Sequence, residues 1–354
     1  MRKYDLIILG AGIVGCFAAY FSRLVHPHWK IALLEARAIG TGATRFSAGV
    51  HLATGTSEYS RQLAARSAEI YANLESNDLL VPDDRMDAFW IAPSEAINDV
   101  CKQAVGFSFR EADSNEHDAL RYAYPEIRFA TAEVVLRGGT ARCFDPPTIA
   151  RQLVRASVGD GLDIHEGTRI TDIRQEDGFT LFESAIGERF VGKRSLLCNG
   201  PWLAKTLGAQ ISSQLGLRVK KVGAMHLESQ RNDLTNGCAL FFPNEDAYIV
   251  PLKNRLQYML SFASRDWDCD PDSGQIGLSR DDYRDVVSIL ARRFGDWQPA
   301  ICGGRVFCDT YTADGNSIAC LHPIWPGVVI AGAGGGAGFR LSPAIAERAL
   351  ALLD

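Results

Sequence analysis

The first residues with the types and spacing for chemistry are three glycines near the start of the chain. Gly10, Gly12 and Gly15 match the pattern G-x-G-x-x-G. In such a turn the first glycine allows tight bending, the second lets the backbone approach a pyrophosphate, and the third lets a helix pack closely on a strand. Glu35 lies twenty residues after Gly15, where a carboxylate accepts hydrogen bonds from ribose hydroxyls. These residue types at this spacing predict a dinucleotide-binding site.

The segments around these glycines predict the β-α-β unit that such a site needs. Residues 4–9 are apolar and predict a buried parallel strand, residues 16–25 a helix and residues 30–35 a second strand. The free N–H groups at the start of the helix then face the phosphates.

Two further glycine-rich segments are able to approach a long cofactor. Residues 40–49 (GTGATRFSAG) combine glycines with hydroxyl side chains directly after Glu35, although a surface loop explains this segment equally well. Residues 332–338 hold five glycines in seven positions and precede a predicted helix at 342–353. Too few residues follow for a second nucleotide unit, so we predict a turn that points a helix N-terminus at a ligand. A flavin suits this turn, because its pyrimidine edge gains negative charge on reduction, which Arg340 or the helix dipole would stabilise.

The rest of the chain predicts a second, antiparallel sheet. Short strand-like runs with polar turns recur between residues 215 and 265, whereas features of a nucleotide domain return in the middle and at the end. Further helices are predicted at 57–76, 145–158 and 279–294, and further strands at 162–165, 168–174, 179–184, 188–191, 195–198, 304–308 and 327–331.

Composition and charge argue against several classes of protein. The chain has 354 residues and a net charge of −5 without a long run of Lys or Arg, so nothing indicates nucleic acid or an anionic membrane surface as partner. No segment is long and apolar enough to predict a membrane span. The nine cysteines are scattered without a CxxC pair, which predicts no metal or dithiol centre and favours reduced thiols in the cytoplasm.

Seven segments, in this order along nearly the whole chain, resemble the D-amino-acid oxidase family of flavoproteins, which includes glycine oxidase and sarcosine oxidase. They are GAGIVG with Glu35, GTGATRFSAG at 40–49, FDP at 144–146, CNGPW at 198–202, YIVP at 248–251, TADG at 312–315 and GAGGGAGFRLSPAIAE at 332–347. The resemblance implies FAD as cofactor and a small amine or amino acid as substrate. It implies hydride transfer to the flavin, hydrolysis of the imine product, and dioxygen as the acceptor that is reduced to hydrogen peroxide.

The resemblance also implies a fold class. We expect an α/β (α+β) protein with a Rossmann-type FAD-binding domain and an inserted antiparallel-sheet substrate domain. The predicted boundaries are 1–85, 140–212 and 300–354 for the FAD-binding domain, and 86–139 and 213–299 for the substrate-binding domain.

Cofactor contacts follow by position from the resemblance. Arg169 or Ile170 would contact the adenine through backbone atoms. Packing in the core is the simpler role for Trp202. The full predicted set is Gly10, Ala11, Gly12, Ile13, Val14, Gly15, Glu35, Ala36, Arg37, Thr41, Gly42, Ala43, Thr44, Ser47, Ala48, Gly49, Arg169, Ile170, Asn199, Gly200, Trp202, Gly334, Gly335, Gly336, Ala337, Gly338, Phe339 and Arg340.

The sequence departs from the family at two positions. Relatives that oxidise amino acids often carry, five residues before the Asp-Gly pair, an arginine for the substrate carboxylate, and here that residue is Asp309. Either another cation such as Arg305 binds the carboxylate, or the substrate lacks a carboxylate there. Asp309 would then bind a cationic amine, or it only caps a turn. Some relatives attach the flavin to a cysteine that Phe307 replaces here, with Cys308 adjacent. One residue of shift turns a strand side chain to the other face, so noncovalent FAD is predicted.

Further polar residues are candidates for the substrate side. His51 follows the glycine-rich segment and Tyr248 lies in the predicted antiparallel sheet, and both are included with Arg340, Asp309 and Arg305 as catalytic candidates. His226, Tyr258 and Tyr311 are further polar candidates. His226 and Tyr248 each have an even chance of facing a cavity, because side chains alternate along a strand.

Other functions remain compatible with the same half-reaction or fold. A dehydrogenase would pass the electrons to a quinone or a protein instead of dioxygen. A flavin-dependent hydroxylase ranks lower, because the Gly-Asp pair usual near the last helix is replaced by Gly332-Ala333-Gly334. A non-enzymatic nucleotide-binding protein ranks last.

Overall fold

The computed structural model describes residues 2–229, 234, 236–295 and 299–354. Within this part of the chain the helices are α1 (Ile13–Val25), α2 (Ala43–Phe46), α3 (Glu58–Ser76), α4 (Ile97–Cys101), α5 (Ser114–Ala123), α6 (Pro146–Ser157), α7 (Leu203–Gln214), α8 (Arg280–Phe294) and α9 (Gly338–Leu350). The strands are β1 (Arg2–Leu9), β2 (Ile31–Leu34), β3 (Val50–His51), β4 (Asp84–Pro93), β5 (Arg110–Glu111), β6 (Glu133–Cys143), β7 (Leu162–His165), β8 (Ile170–Glu176), β9 (Phe179–Ser184), β10 (Arg189–Leu197), β11 (Arg218–Glu228), β12 (Ala239–Phe242), β13 (Ala247–Leu252), β14 (Gln257–Phe262), β15 (Ile301–Tyr311), β16 (Ile318–Leu321) and β17 (Val328–Gly332).

The first sheet confirms the predicted parallel, Rossmann-like arrangement. Its main strand order is β16-β17-β10-β1-β2-β7, and β17, β10, β1, β2 and β7 are parallel to one another. The four residues of β2 and the last residues of β1 are fully or almost fully buried, as expected for strands covered on both faces. Helices α1, α3, α6 and α9 supply apolar side chains to the core on one face of this sheet.

The second sheet is curled and almost entirely antiparallel. Its main order is β15-β11-β14-β13-β12-β4-β6-β3, with β5 paired to β6. The exception to the predicted antiparallel pairing is β12, which runs parallel to β4. The mixed α/β fold is therefore confirmed, with a parallel Rossmann-like sheet and a second sheet suited to holding a substrate.

Capping residues explain where the predicted helices begin. Ser57 and Ser279 accept hydrogen bonds from N–H groups in the first turns of α3 and α8, and both helices have a complete capping box. The Asp145 side chain accepts from the N–H of Thr148 at the start of α6. The prolines in this first turn have no N–H, so they leave no donor without a partner. These three helices confirm the predictions within a residue or so at each end.

Several predicted elements differ in the structure. The strands predicted at 188–191 and 195–198 are one strand, β10, because β1 pairs with it in a single register from Phe190 to Leu197. The predicted 40–49 loop contains the short helix α2. Helix α9 begins at Gly338, four residues before the predicted start at 342. Strand β15 belongs to the second sheet, although residues 300–354 are predicted in the FAD-binding domain. The division into domains stays a prediction.

Two properties of the whole chain bear on its chemistry. All nine cysteines are free thiols. Among the described helices, none is both long and apolar enough to cross a lipid bilayer.

Candidate active site

The turn between β1 and α1 has the geometry of a phosphate-binding loop. Gly10 has a φ of +103°, and a Cβ on Gly15 would lie 1.9 Å from the carbonyl oxygen of Gly10, so both positions require glycine. One N–H of the helix start, that of Ile13, donates to Thr44 Oγ1 at 2.9 Å, whereas the N-cap residue Gly12 has no side chain to cap the others. The helix start is therefore open to an anionic ligand.

Glu35 is fixed at the end of β2 by two backbone N–H groups. Its Oε2 accepts from the N–H of Ala11 and its Oε1 from the N–H of Arg37, each at 2.9 Å. A carboxylate has about four acceptor positions, so Glu35 keeps capacity to accept from ribose hydroxyls.

A first cavity of about 570 Å³ opens where the parallel strands of the first sheet end, the usual place for ligands in such sheets. The predicted cofactor contacts that line it are Gly10, Gly12, Ile13, Val14, Glu35, Ala36, Arg37, Gly42, Ala43, Thr44, Ser47, Arg169, Ile170, Asn199, Gly200, Trp202, Gly334, Gly336, Gly338 and Phe339. Oδ1 of Asn199 is buried without a hydrogen-bond partner among the described residues. An open helix start, a fixed acid and an unpartnered acceptor in one long cavity fit a dinucleotide such as FAD.

A second cavity of about 450 Å³ lies between the second sheet and the start of α9. The predicted residues that line it without lining the first are Ala48, Tyr248, Gly335, Ala337 and Arg340. The two cavities share walls formed by Ser47, Phe307, Gly334, Gly336 and Phe339. They therefore meet at the glycine-rich turn before α9, so one ligand is able to reach from the first cavity to a second ligand in the other.

Some predicted contacts shape the turns instead of facing a cavity. Of the described residues in the prediction, those that line neither cavity are Ala11, Gly15, Thr41, Gly49, His51 and Arg305. Thr41 Oγ1 donates to the carbonyl of Ala38 at 2.6 Å. Gly49 has a φ of +69°, and a Cβ there would lie 1.9 Å from the carbonyl oxygen of Phe144. These residues hold the backbone in place behind the cavity walls.

Arg340 extends into the second cavity without a protein partner for its Nε. Among the described residues, no hydrogen-bond acceptor is within reach of this buried atom. Burial lowers the pKa of Arg340 and the nearby Tyr248 acts in the opposite direction, and a guanidinium stays protonated in proteins. Buried donors in folded proteins are nearly always satisfied, so Arg340 has the property expected of a ligand-binding cation.

The position of Asp309 favours the turn-capping role over the predicted contact with a substrate amine. Its Oδ1 accepts from the N–H of Thr310 and its Oδ2 from the N–H of Gly336, each at 2.8 Å. Burial raises the pKa of Asp309 to about 6, against the opposing effect of these two N–H groups. Asp309 lines the first cavity and not the second, so it lies on the cofactor side and fixes the glycine-rich turn.

The structure does not bring Arg305 to the substrate side as predicted. Its Nε donates to Nε2 of His226 at 3.1 Å, and its guanidinium also donates to the carbonyls of Phe46 and Ser47 at 3.3 and 3.2 Å. Burial, followed by the charges of Arg305 and Arg255, lowers the pKa of His226 to about 4, so its imidazole is a neutral acceptor. Arg305 therefore ties β15 to α2 and is not available for a substrate carboxylate.

His51 is a core residue, which corrects its prediction as a catalytic candidate. It is 2% exposed, its Nδ1 lies 3.0 Å from the guanidinium of Arg142, and its ring packs on Tyr71 at 4.5 Å. Burial, followed by the charges of Arg142 and Arg340, lowers the pKa of His51 to about 3. The histidine is therefore neutral at physiological pH and supports the wall behind the cavities.

Acid should destabilise the protein through His51. Its folded pKa of about 3 lies below the ordinary 6.5, so the unfolded state binds the proton first and stability falls as pH drops from 6.5 towards 3. Between pH 7 and pH 4.5 this effect amounts to about 2.5 kcal/mol. His51→Gln keeps an acceptor for Arg142. In urea unfolding, the free energy of unfolding of this variant should fall by about 2.5 kcal/mol less than that of the parent over the same pH range. An equal loss would contradict the buried neutral state.

The sequence offered no signal for one wall of the first cavity. A segment from Asp266 to Asp272, which we call the strap, leaves the second sheet and reaches the first cavity. The Asp272 carboxylate accepts from Trp202 Nε1 at 2.8 Å, Lys205 Nζ at 2.9 Å and Arg169 at 3.2 Å. Hydrogen bonds from Lys205 and Trp202 hold the pKa of Asp272 at about 2. The strap is thus fixed across the cofactor side by a charged contact.

Comparisons with known proteins agree with this arrangement. The chain matches a family model described as FAD dependent oxidoreductase, named DAO, over residues 5–352. It is 24% identical over 217 residues to a probable sarcosine oxidase from Arabidopsis thaliana, an alignment that covers 57% of this chain and 50% of that protein, so the match spans about half of that relative.

Two solved structures share the fold over almost the whole chain. One is glycine oxidase from Geobacillus kaustophilus, with a TM-score of 0.78, 20% identity and coverage of 100% of this chain and 95% of that one. The other is L-proline dehydrogenase from P. horikoshii, with a TM-score of 0.81, 15% identity and coverage of 99% and 93%. Given the family match over residues 5–352, the chain belongs to the DAO family and is an FAD-dependent oxidoreductase.

Proposed function

We propose that this protein oxidises the C–N bond of an amino acid or a small amine bearing a carboxylate. The carbon next to nitrogen loses a hydride and the nitrogen loses a proton, which gives an imine that water hydrolyses to a carbonyl compound and ammonia or, from an N-substituted substrate, an amine. FAD, when bound, supplies the hydride acceptor and passes the two electrons to dioxygen, which is reduced to hydrogen peroxide. The FAD is held noncovalently, because Phe307 replaces the cysteine to which some relatives attach it.

The unpartnered guanidinium of Arg340 in the second cavity is the observation that carries this proposal. A planar guanidinium binds a carboxylate through two parallel hydrogen bonds, and Arg340 lacks a competing acid among the described residues. It follows Phe339, which lines both cavities, so a bound carboxylate places the rest of the substrate near their junction. Arg340 thus supplies the cation that Asp309 does not.

The remaining walls of the second cavity orient the substrate and exclude water. Tyr248 lies near Arg340, and burial raises the pKa of its phenol, so it stays a neutral hydrogen-bond donor. Trp90 and Phe241 stack with their ring centres 4.5 Å apart and both line the cavity. In this low-dielectric surrounding the charge contact with Arg340 is strengthened.

We propose dioxygen as the electron acceptor. The alternative is a dehydrogenase, which would pass the electrons to a quinone or a protein. The fold of this chain resembles that of an oxidase and that of a dehydrogenase. The half-reaction that the second cavity accommodates is the same for both.

Anaerobic bleaching of the bound flavin tests the proposal. The FAD-loaded protein is mixed without dioxygen with zwitterionic amino acids of both enantiomers and, separately, with amines of matched size that lack a carboxylate. We expect bleaching by amino acids and, on admitting air, recovery of absorbance with one hydrogen peroxide per substrate. Bleaching by the amines alone would contradict the role of Arg340. Recovery with a quinone but not with air would assign the dehydrogenase reaction.

A further inference from the structure

A second cation, Lys220, lines the same cavity as Arg340 and has no acidic partner. Residues 220–224 of β11, which include Lys220 and its neighbour Lys221, all line the second cavity. Among the described residues, no carboxylate lies within ion-pair distance of the Lys220 ammonium. Asp309 is directly opposite on β15, but its carboxylate accepts from the N–H groups of Thr310 and Gly336 and forms no ion pair with Lys220.

The neighbouring lysine shows what a structural cation looks like in this strand. Lys221 is 3% exposed and pairs with both Asp266 and Asp282, the latter at 2.7 Å. These acids neutralise it, as expected for a buried charge. Lys220 is only half-buried and has no such partner. Its charge is therefore not needed to balance an acid of the fold.

Two aromatic rings hold the Lys220 ammonium at the cavity. Its Nζ lies 5.0 Å from the ring centre of Trp267 and 5.6 Å from that of Tyr311, distances at which ring faces attract a cation. Tyr311 also lines the second cavity and lies against Gly335, next to the junction of the two cavities. The rings restrict the lysine without neutralising it, so it can accept an anion as partner.

We infer that Lys220 binds a second carboxylate of the substrate, which makes the substrate a dicarboxylic amine. This inference rests on the proposed function, because it needs Arg340 to hold the first carboxylate. A cavity of about 450 Å³ has room for more than the smallest amino acids. Among the described residues that line this cavity, the unpaired charged groups are the cations Lys220 and Arg340 and the exposed acid Asp246, so their summed charge is positive.

Binding of dicarboxylates to the FAD-loaded protein tests the inference without turnover. The visible spectrum of the flavin is titrated with succinate, glutarate and adipate, each against the monocarboxylate of equal carbon number. We expect at least one dicarboxylate to bind about tenfold more tightly than its monocarboxylate, the size of one charge-assisted contact. In Lys220→Met the ratio of the two Kd values should fall to near one.

Arg218→Met is the matched control. Arg218 lies two residues away on β11, and its guanidinium lies 4.7 Å from the ring centre of the same Trp267, but it pairs with Asp268 in solvent. This variant should keep the preference for dicarboxylates. Equal Kd values in the parent, or tighter binding of 6-aminohexanoate through Asp246, would overturn the inference. If neutral amino acids are turned over and dicarboxylates bind with the same Kd as monocarboxylates, only the binding of a second carboxylate is contradicted. If no amine or amino acid bleaches the flavin, the proposed function itself is contradicted.

Discussion

Arg340→Met is expected to lower kcat/KM for amino acids by roughly 30- to 1,000-fold. Removing one partner of a buried, hydrogen-bonded charge pair costs about 2–4 kcal/mol, and each 1.4 kcal/mol is a factor of about ten. In the free protein the same change removes a buried donor without a partner, so the melting temperature should not fall. Steady-state kinetics, flavin content and thermal unfolding of the purified variant measure these three effects.

The comparison between substrates separates two roles of Arg340. If it binds the substrate carboxylate, amines without a carboxylate should lose little activity, and Arg340→Lys should recover part of the loss for amino acids. If it acts instead on the charge that the flavin gains, all substrates should lose rate equally. An equal loss across both panels would therefore contradict the carboxylate role and support the one that the sequence alone favours.

Gly12→Val is expected to yield a folded protein that retains less than about a tenth of its FAD, which corresponds to at least 1.4 kcal/mol. The second glycine of the turn lets the backbone approach the pyrophosphate, and Gly12 lines the first cavity. A Cβ there would lie 3.3 Å from Thr44 Oγ1, which accepts from Ile13 at the helix start. Flavin absorbance relative to protein absorbance after gel filtration measures the loss.

A glycine elsewhere on the surface controls for the general effect of adding a side chain. A Cβ on Gly159 meets no atom within 4 Å, and its φ is not in the left-handed region. Gly159→Ala should keep a full complement of FAD and an unchanged melting temperature. Normal flavin content in Gly12→Val would remove the first cavity as the pyrophosphate site.

Local sequence patterns were sufficient to predict most of the first sheet and the residues on the cofactor side. Glycine spacing, the apolar strand at 4–9 and the acid at position 35 all depend on neighbours close in sequence. They predict the βαβ unit and much of the lining of the first cavity, because the physics that requires them acts within that unit. The contacts themselves stay predictions until a cofactor-bound protein is measured.

Some residues on the substrate side could not be predicted from the sequence, because their positions depend on contacts between distant parts of the chain. Alternation along β11 gave no way to choose Lys220 over Lys221. Both residues line the second cavity, and they differ in the acids that the fold brings to Lys221. His51 and Arg305 were misplaced for a related reason. Their partners, Arg142 and His226, are 91 and 79 residues away in sequence.

The strap connects the two sheets beside the cofactor cavity. Cys269 donates its N–H to the carbonyl of Val219 on β11, while Asp272 is held by Trp202 and Lys205 next to the first sheet. Through the strap, a wall of the first cavity is therefore joined to β11, the strand that carries Lys220 on a wall of the second cavity.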